Sequence, residues 1–307
     1  MKYLVTGGAG FIGSHVADLL VKGGHEVVIV DDLSSGTKEN IHSKATFEKC
    51  DIRDEECMRA VFEKYRPDFV YHFAAQLSVR KSVEDPVFDA QVNIIAFIHL
   101  LNLSKEFLVK KVIFASSAGT VYGDKEELPV PETVDTRPEC PYGISKLAME
   151  KYAYYYYLTY QLPYVALRFS NVYGPRQNPH GEAGVVGIFT ERMLEGKECF
   201  INGDGETTRD FVYVDDVADA CILALDEEVI GEYNISRGVQ TSVNTIAELL
   251  VEYTEYGKEV PHREAKPGEQ RYGEYDSTLY QEKTGWSPDI DIKTGLKQTV
   301  EWFQKHK

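Results

Sequence analysis

Apolar residues fall along this chain in two alternating kinds of run. Lys2 to Val5, Glu26 to Val30, Thr46 to Cys50, Asp68 to Phe73, Lys111 to Ala115 and Tyr164 to Phe169 are short and mostly apolar, and such runs read as buried strands. Between them, His15 to Val21, Asp54 to Tyr65, Pro86 to Phe107 and the segment from Tyr142 to about Tyr160 space their apolar residues as helices do. Asp54 is placed to cap the second helix and Pro86 to open the third, with Asn93 part-way along it. Asp215-Asp216 reads as the cap of a helix over Val217 to Leu225, and Gly295 to Gln304 as a closing amphipathic helix. Strand–helix alternation at this spacing predicts an α/β fold built on a doubly wound parallel sheet.

Composition narrows the setting. At 307 residues and 43% hydrophobic, the chain buries a large core as one composite domain or two. A formal net charge of −16 argues against general binding to nucleic acid or an anionic membrane, so a phosphorylated ligand would need arginines placed locally. No uninterrupted apolar run approaches the ~18 residues of a membrane span, and no signal peptide is visible before the first strand. A cytoplasmic protein is the expectation. The cysteines (Cys50, Cys57, Cys140, Cys199 and Cys221) are scattered without a C-x-x-C pair. They read as reduced thiols rather than a zinc site or a disulfide framework, and no metal is expected.

Candidate chemistry begins at the first strand–helix junction, where Gly7-x-x-Gly10-x-x-Gly13 also reads Gly8-x-Gly10-x-x-Gly13. Glycines there permit a tight turn and let backbone approach a diphosphate, which the following helix N-terminus favours. The second strand ends in Asp31-Asp32, where a carboxylate can bond the ribose hydroxyls of an adenine dinucleotide. An acid there favours NAD over NADP, whose 2′-phosphate it would repel. The fourth strand runs into Ala74-Ala75-Gln76, small residues that suit either close passage of a cofactor or ordinary strand–helix packing. His72, on the same strand, reads as a packed strand histidine.

Further on, Tyr142 and Lys146 stand four apart at the head of a helix and share one face. A phenol is a poor base at neutral pH, but a neighbouring ammonium and a cationic nicotinamide favour its phenolate. A serine or threonine hydroxyl after the fifth strand would then pass a substrate proton to it.

These stretches together resemble the extended short-chain dehydrogenase/reductase superfamily, and most closely its UDP-glucose 4-epimerase family. The likeness is carried by Thr6-Gly7-Gly8-Ala9-Gly10-Phe11-Ile12-Gly13, Asp31-Asp32-Leu33-Ser34, Phe73-Ala74-Ala75-Gln76-Leu77-Ser78-Val79 and Tyr142-x-x-x-Lys146. It continues through Asn171-Val172-Tyr173-Gly174-Pro175-Arg176 and Gly203-Asp204-Gly205-Glu206-Thr207-Thr208-Arg209-Asp210-Phe211. The resemblance implies a Rossmann domain over 1–170 with about 211–235, and a smaller C-terminal α/β sugar-nucleotide lobe over 171–210 and 236–307. It implies that NAD is held by Gly7, Gly10, Phe11, Ile12, Gly13, Asp31, Asp32, Asp51, Ile52, Phe73, Ala74, Ala75, Gln76, Asn93, Tyr142 and Lys146. It places the UDP-sugar against Ser117, Tyr142, Asn171, Arg209, Lys266 and Glu269; family patterns tend to show arginine where Lys266 stands and aspartate where Glu269 stands. Tyr142, Lys146 and Ser117 are the implied catalytic set. Most relatives carry the hydroxyl four residues before the tyrosine that is Tyr122 here, a position held by Ala118; a segment one residue longer restores Ser117, with Thr120 as the fallback.

Reaction type follows from what is missing. Related dehydratases and decarboxylases carry acids just after the catalytic hydroxyl, whereas Ala118-Gly119-Thr120 offers no carboxylate. C4 epimerisation of a UDP-hexose through a 4-keto sugar needs none. A uronic acid would want a further cation, for which Arg80, Arg168 and Arg176 are available. The resemblance also implies a pocket-gating position near Gly273, where a small residue would leave room for the N-acetyl group of UDP-GlcNAc or UDP-GalNAc. A non-catalytic NAD-binding protein is the alternative, although such proteins typically lose Tyr142 or Lys146. Tyr152 and Tyr154 to Tyr157 crowd one helix; relatives pair along this helix, which implies a homodimer with an aromatic-rich interface.

Overall fold

The computed structural model describes residues 1–180, 184–265 and 271–306. A seven-stranded sheet runs in the order Gly231–Ile235, Tyr164–Phe169, Lys111–Ser117, Phe69–His72, Lys2–Thr6, Glu26–Asp31, Thr46–Lys49. Every neighbouring pair is parallel. This is the doubly wound sheet expected from the apolar runs: six strands are those runs with ends moved by a residue or two, and Gly231–Ile235 adds an edge strand that no run marks. Strand order reverses between Lys2–Thr6 and Phe69–His72. At that point the loops leaving the carboxyl ends diverge and open a crevice.

Burial on both faces explains the continuous apolar runs. Val16, Ala17 and Leu20 of helix Phe11–Lys22 cover one face with Val217, Ala218 and Cys221 of helix Val214–Leu223. The other face receives Met58 and Phe62, Phe97 and Leu100, and Met149 and Ala153, from helices Glu55–Tyr65, Ala96–Glu106 and Pro141–Tyr160. Helix Glu55–Tyr65 is capped as expected, the Asp54 carboxylate accepting from Cys57 N at 3.0 Å. The 86–106 stretch is long and apolar enough to cross a membrane by length and composition, yet it packs against the sheet, with Phe97, Leu100 and Leu101 in the core.

A smaller lobe packs beyond this sheet. Strands Asn171–Tyr173, Thr208–Tyr213 and Gln240–Ser242 form its sheet. Helices Val185–Leu194, Val243–Tyr253 and Ile292–Lys305 cover it through a core that includes Tyr173, Phe211, Leu250 and Leu296. Between the two regions Ala118, Val121, Tyr122, Val130 and Tyr275 make a small junction cluster.

The helix expected from Pro86 runs to Glu106 and contains a π turn over Gln91–Ile95 between Pro86–Ala90 and Ala96–Glu106; π turns of this kind gather at functional sites. Two expectations are corrected. Asp215 and Asp216 lie inside the first turn of a helix that starts at Val214, rather than capping it. The Asp216 carboxylate instead accepts from Asp289 N and Ile290 N, both at 3.2 Å, tying a distant loop to the helix. Finally, Cys50 and Cys57 are bonded as a disulfide, with Cα atoms 6.2 Å apart, because the strand-to-helix corner folds the two positions together. Cys140, Cys199 and Cys221 are free thiols.

Candidate active site

The glycine turn closes as its sequence demands. Gly7 has φ +70, and a Cβ there would stand 2.5 Å from Ala74 N, so only glycine lets the first and fourth strand ends run this close. Gly13 lies under the turn, where a Cβ would be 2.3 Å from Gly7 O. Helix Phe11–Lys22 starts at Gly10 with no side-chain cap and no acid in its first turn, which leaves its N-terminus to an external anion. Asp31 is buried beside this turn and accepts from Ala9 N at 3.0 Å and Leu33 N at 2.8 Å. Asp32 is exposed and bonds Ser34. Asp51 is held by Arg53, whose Nε donates to it at 3.0 Å, while Ile52 is buried. This open, anion-favouring turn with an acid beside it fits an NAD diphosphate and adenosine ribose.

Across the crevice, Phe73 N and Ala74 N both donate to Thr6 O, and Gln76 is locked from three sides. Asn93 accepts from Gln76 N at 3.0 Å and donates to Gln76 O at 2.8 Å. Gln76 itself bonds Ser78 and Asp89. Asn93 thus fixes the loop that leaves the fourth strand. His72 is a packed histidine, its Nδ1 2.7 Å from the Thr6 hydroxyl and its ring stacked on Phe97; burial pushes it down to about 3.

Tyr142 and Lys146 share a face of the helix that opens at Pro141, with the Lys146 ammonium 5.7 Å from the Tyr142 ring centre and donating to Ala115 O at 2.9 Å. Tyr142 N donates to the Ser82 hydroxyl at 3.1 Å. The turn Ala118–Val121 lies hard against this helix, since a Cβ on Gly143 would be 2.6 Å from Thr120 O. Ser117, the last residue of its strand, is half-buried and caps that turn in sequence, whereas the Thr120 hydroxyl is buried without a hydrogen-bond partner.

The electrostatics at Tyr142 run against the sequence expectation. Burial pushes the phenol well above its ordinary value, and the charge of Asp89 and the Cys140 thiol push the same way. Burial also brings Lys146 down to about 8, opposed by Asp89 and Glu150. Desolvation is the largest influence on each group, Lys146 being buried and Tyr142 half-buried.

On the lobe side, parallel pairing sets Asn171 opposite Phe211, so Asn171 and Arg209 lie on the same face of the small sheet. Arg209 is half-buried, and its guanidinium donates to Thr208 O at 2.8 Å. Asp210 does not serve it as a surface partner: the buried carboxylate accepts from the backbone of Arg237 and Gly238, both at 2.9 Å, and from Tyr275 N at 3.3 Å. A Cβ on Gly273 would meet the Tyr275 hydroxyl at 3.5 Å and Arg209 Cδ at 3.7 Å. A Cβ on Gly119 would meet that hydroxyl at 3.8 Å and Ser117 Oγ at 4.0 Å. The Tyr275 hydroxyl therefore lies beside both glycines, with Ser117 near the first and Arg209 near the second. Lys266 and Glu269 lie outside the described residues. Among the described residues no group of three or more His, Cys, Asp or Glu side chains is placed to hold a metal ion.

The arginines reserved for a uronic acid are committed elsewhere. Arg168 forms a buried pair with Glu150 at 2.7 Å, Arg176 pairs with Asp18 at 2.7 Å, and Arg80 pairs with Glu84 at 2.9 Å. Sequence reasoning passed over Asp89, Ser145, Glu150 and Tyr275. Asp89 had a local signal, an acid one helical turn before Asn93 within an apolar stretch; Tyr275 had none.

The model of the NAD dependent epimerase/dehydratase family matches residues 3–236. A putative UDP-glucose 4-epimerase of Methanocaldococcus jannaschii is 43% identical, covering 99% of this chain and 98% of its own. Among solved structures, a UDP-glucose 4-epimerase of Thermotoga maritima with UDP-glucose is 48% identical with a TM-score of 0.97, over 100% of this chain and 99% of that one. A UDP-glucose 4-epimerase of Thermus thermophilus in complex with NAD is 40% identical with a TM-score of 0.94, over 99% of each chain.

Proposed function

The chain belongs to the NAD dependent epimerase/dehydratase family, and from that premise we propose that it epimerises a UDP-hexose at C4 through a 4-keto intermediate, as a UDP-glucose 4-epimerase. The observation that carries this reading is the Tyr142–Lys146 pair set against the Ser117 strand end, with no acid in Ala118–Val121 to drive an elimination. The Gly7–Gly13 turn, Asp31 and the Gln76 loop would hold NAD, which would supply reversible hydride transfer at C4. Tyr142, once its own proton is lost, takes the 4-hydroxyl proton through or beside Ser117; burial opposes that loss, and Lys146 with the cationic nicotinamide of bound NAD would favour it. The half-exposed Ser117 suits the relay better than the sealed Thr120 hydroxyl. Lys146 holds positive charge beside the phenolate. Arg209 and Asn171 tether the diphosphate while the flat keto sugar turns over.

The seven-stranded part (1–170 with about 211–235) carries the cofactor in this reading and the rest carries the sugar nucleotide. An uncharged C6 is favoured over a uronic acid because Arg80, Arg168 and Arg176 are all ion-paired. The open space at Gly273, where a Cβ has only ordinary contacts, favours turnover of N-acetyl sugars as well. A homodimer forms along helix Pro141–Tyr160, where Tyr155 and Leu158 are 49% and 56% exposed.

UDP-galactose supplied without added NAD, with UDP-glucose detected, tests the reaction. Wild-type turnover that falls about a hundredfold or more in Tyr142→Phe is the expected result. Silence persisting with NAD, UDP-glucuronate and the N-acetyl sugars would overturn the reaction class.

A further inference from the structure

We propose that Asp89 is a positioning residue of this site, one buried carboxylate that ties the Gln76 loop and the asparagine of the π turn to the helix carrying Tyr142 and Lys146. The inference rests on the proton-transfer role assigned to that pair above. Asp89 is 1% exposed. One oxygen accepts from Gln76 Nε2 at 2.8 Å and Asn93 Nδ2 at 3.0 Å. The other accepts from the Ser145 hydroxyl, on the residue before Lys146. Three elements far apart in sequence therefore meet on one side chain: the loop after the fourth strand, the π turn and the catalytic helix.

The donors decide what the acid contributes. All three are neutral groups, and an asparagine could satisfy the same geometry, its oxygen accepting from Gln76 and Asn93 and its amide donating to Ser145. A carboxylate buried among neutral donors adds uncompensated charge, which costs stability. That charge is felt by the reacting pair. Tyr142 faces Asp89 from helix Pro86–Ala90 and Cys140 from the start of its own helix, besides Lys146. Lys146 faces Asp89, Glu150 on its own helix, and His72 on the strand below. His72 is held neutral by burial, and Glu150 is neutralised by Arg168. Asp89 is thus the larger of two anionic influences, ahead of the Arg168-paired Glu150, that oppose the desolvation of Lys146, and it also raises the phenol beside it.

The sign is definite. Removing the negative charge lowers the proton affinity of both Tyr142 and Lys146, so both limbs of the pH–rate profile move to lower pH. Asp89→Asn in the full-length protein is expected to shift each limb by about one pH unit. Ser145→Ala keeps the charge but cuts the tie to the helix, and is expected to lower kcat about tenfold with the limbs unmoved. Tyrosinate absorbance titrated in the wild type minus Tyr142→Phe, and again in the Asp89→Asn background, reads Tyr142 without any substrate. A lower midpoint there supports the role even if the wild type turns over no UDP-sugar, an outcome that would overturn the function alone. A folded Asp89→Asn with unmoved limbs and an unmoved tyrosinate midpoint overturns the proposal. Should Asp89→Asn fail to fold, Ser145→Ala decides: an unchanged kcat overturns it and a lowered kcat with fixed limbs supports it.

Discussion

Arg168 and Glu150 give the sharpest test of how the site is braced. Their pair is bidentate, Nε to Oε1 at 2.9 Å and Nη2 to Oε2 at 2.7 Å, with side chains 4% and 0% exposed. Ser116, next to Ser117, donates to Glu150 Oε1 at 2.6 Å, and Arg168 donates to the Tyr122 hydroxyl at 2.9 Å. Tyr122 in turn donates to Asn234, whose amide donates to Val130 O and Asp276 O in the junction with the smaller lobe. Arg168→Met leaves Glu150 a buried anion with only the Ser116 hydroxyl, a loss of about 3–5 kcal/mol. Replacing both partners, Arg168→Met with Glu150→Leu, removes the orphan charge and leaves mainly the Ser116 hydroxyl unsatisfied, a loss of roughly 1–3 kcal/mol. The double variant is therefore expected to be about 2 kcal/mol more stable than the single. Urea unfolding followed by far-UV circular dichroism and by fluorescence of the buried Trp286 measures each. A single variant within about 1 kcal/mol of wild type, or a double variant less stable than the single, would refute the reasoning that this pair is held by mutual neutralisation.

Three further outcomes are expected. Gly7→Ala forces a Cβ to 2.5 Å from Ala74 N at φ +70, so calorimetry should show NAD binding weakened at least tenfold and stability lowered by about 2–4 kcal/mol; wild-type binding would show that the strand ends are not tightly apposed. His72 is pushed down to about 3 in the fold, so unfolding takes up a proton below the ordinary histidine value of about 6.5. Its contribution to stability is full above that pH and is lost as pH falls toward the folded value, at up to ~1.4 kcal/mol per unit. His72→Gln should flatten the stability slope between pH 6 and 4, and an unaltered slope would mean that the buried ring already takes up its proton there. Leu158→Glu with Tyr155→Glu should give a monomer by light scattering where the wild type is a dimer, and an undiminished dimer would place the interface elsewhere.

Much of this protein is written in local patterns. Strand and helix order, the glycine turn, the Asp54 cap and the Tyr142–Lys146 spacing depend on residues a few positions apart, and the chain's own periodicity specifies them. Position in the crevice follows too, because the carboxyl ends of parallel strands must meet where strand order reverses. What tertiary structure decided lies between residues distant in sequence. Asp89 reaches Ser145 and Gln76, Glu150 claims an arginine that composition left free for a sugar acid, and the Tyr275 hydroxyl comes beside both Gly119 and Gly273. The Cys50–Cys57 bond depends on how one corner folds. The sign of the Tyr142 perturbation also came only with the fold. Spacing reveals a neighbouring charge, but the cost of burial depends on how much protein surrounds the group, and here that cost is the larger of the two.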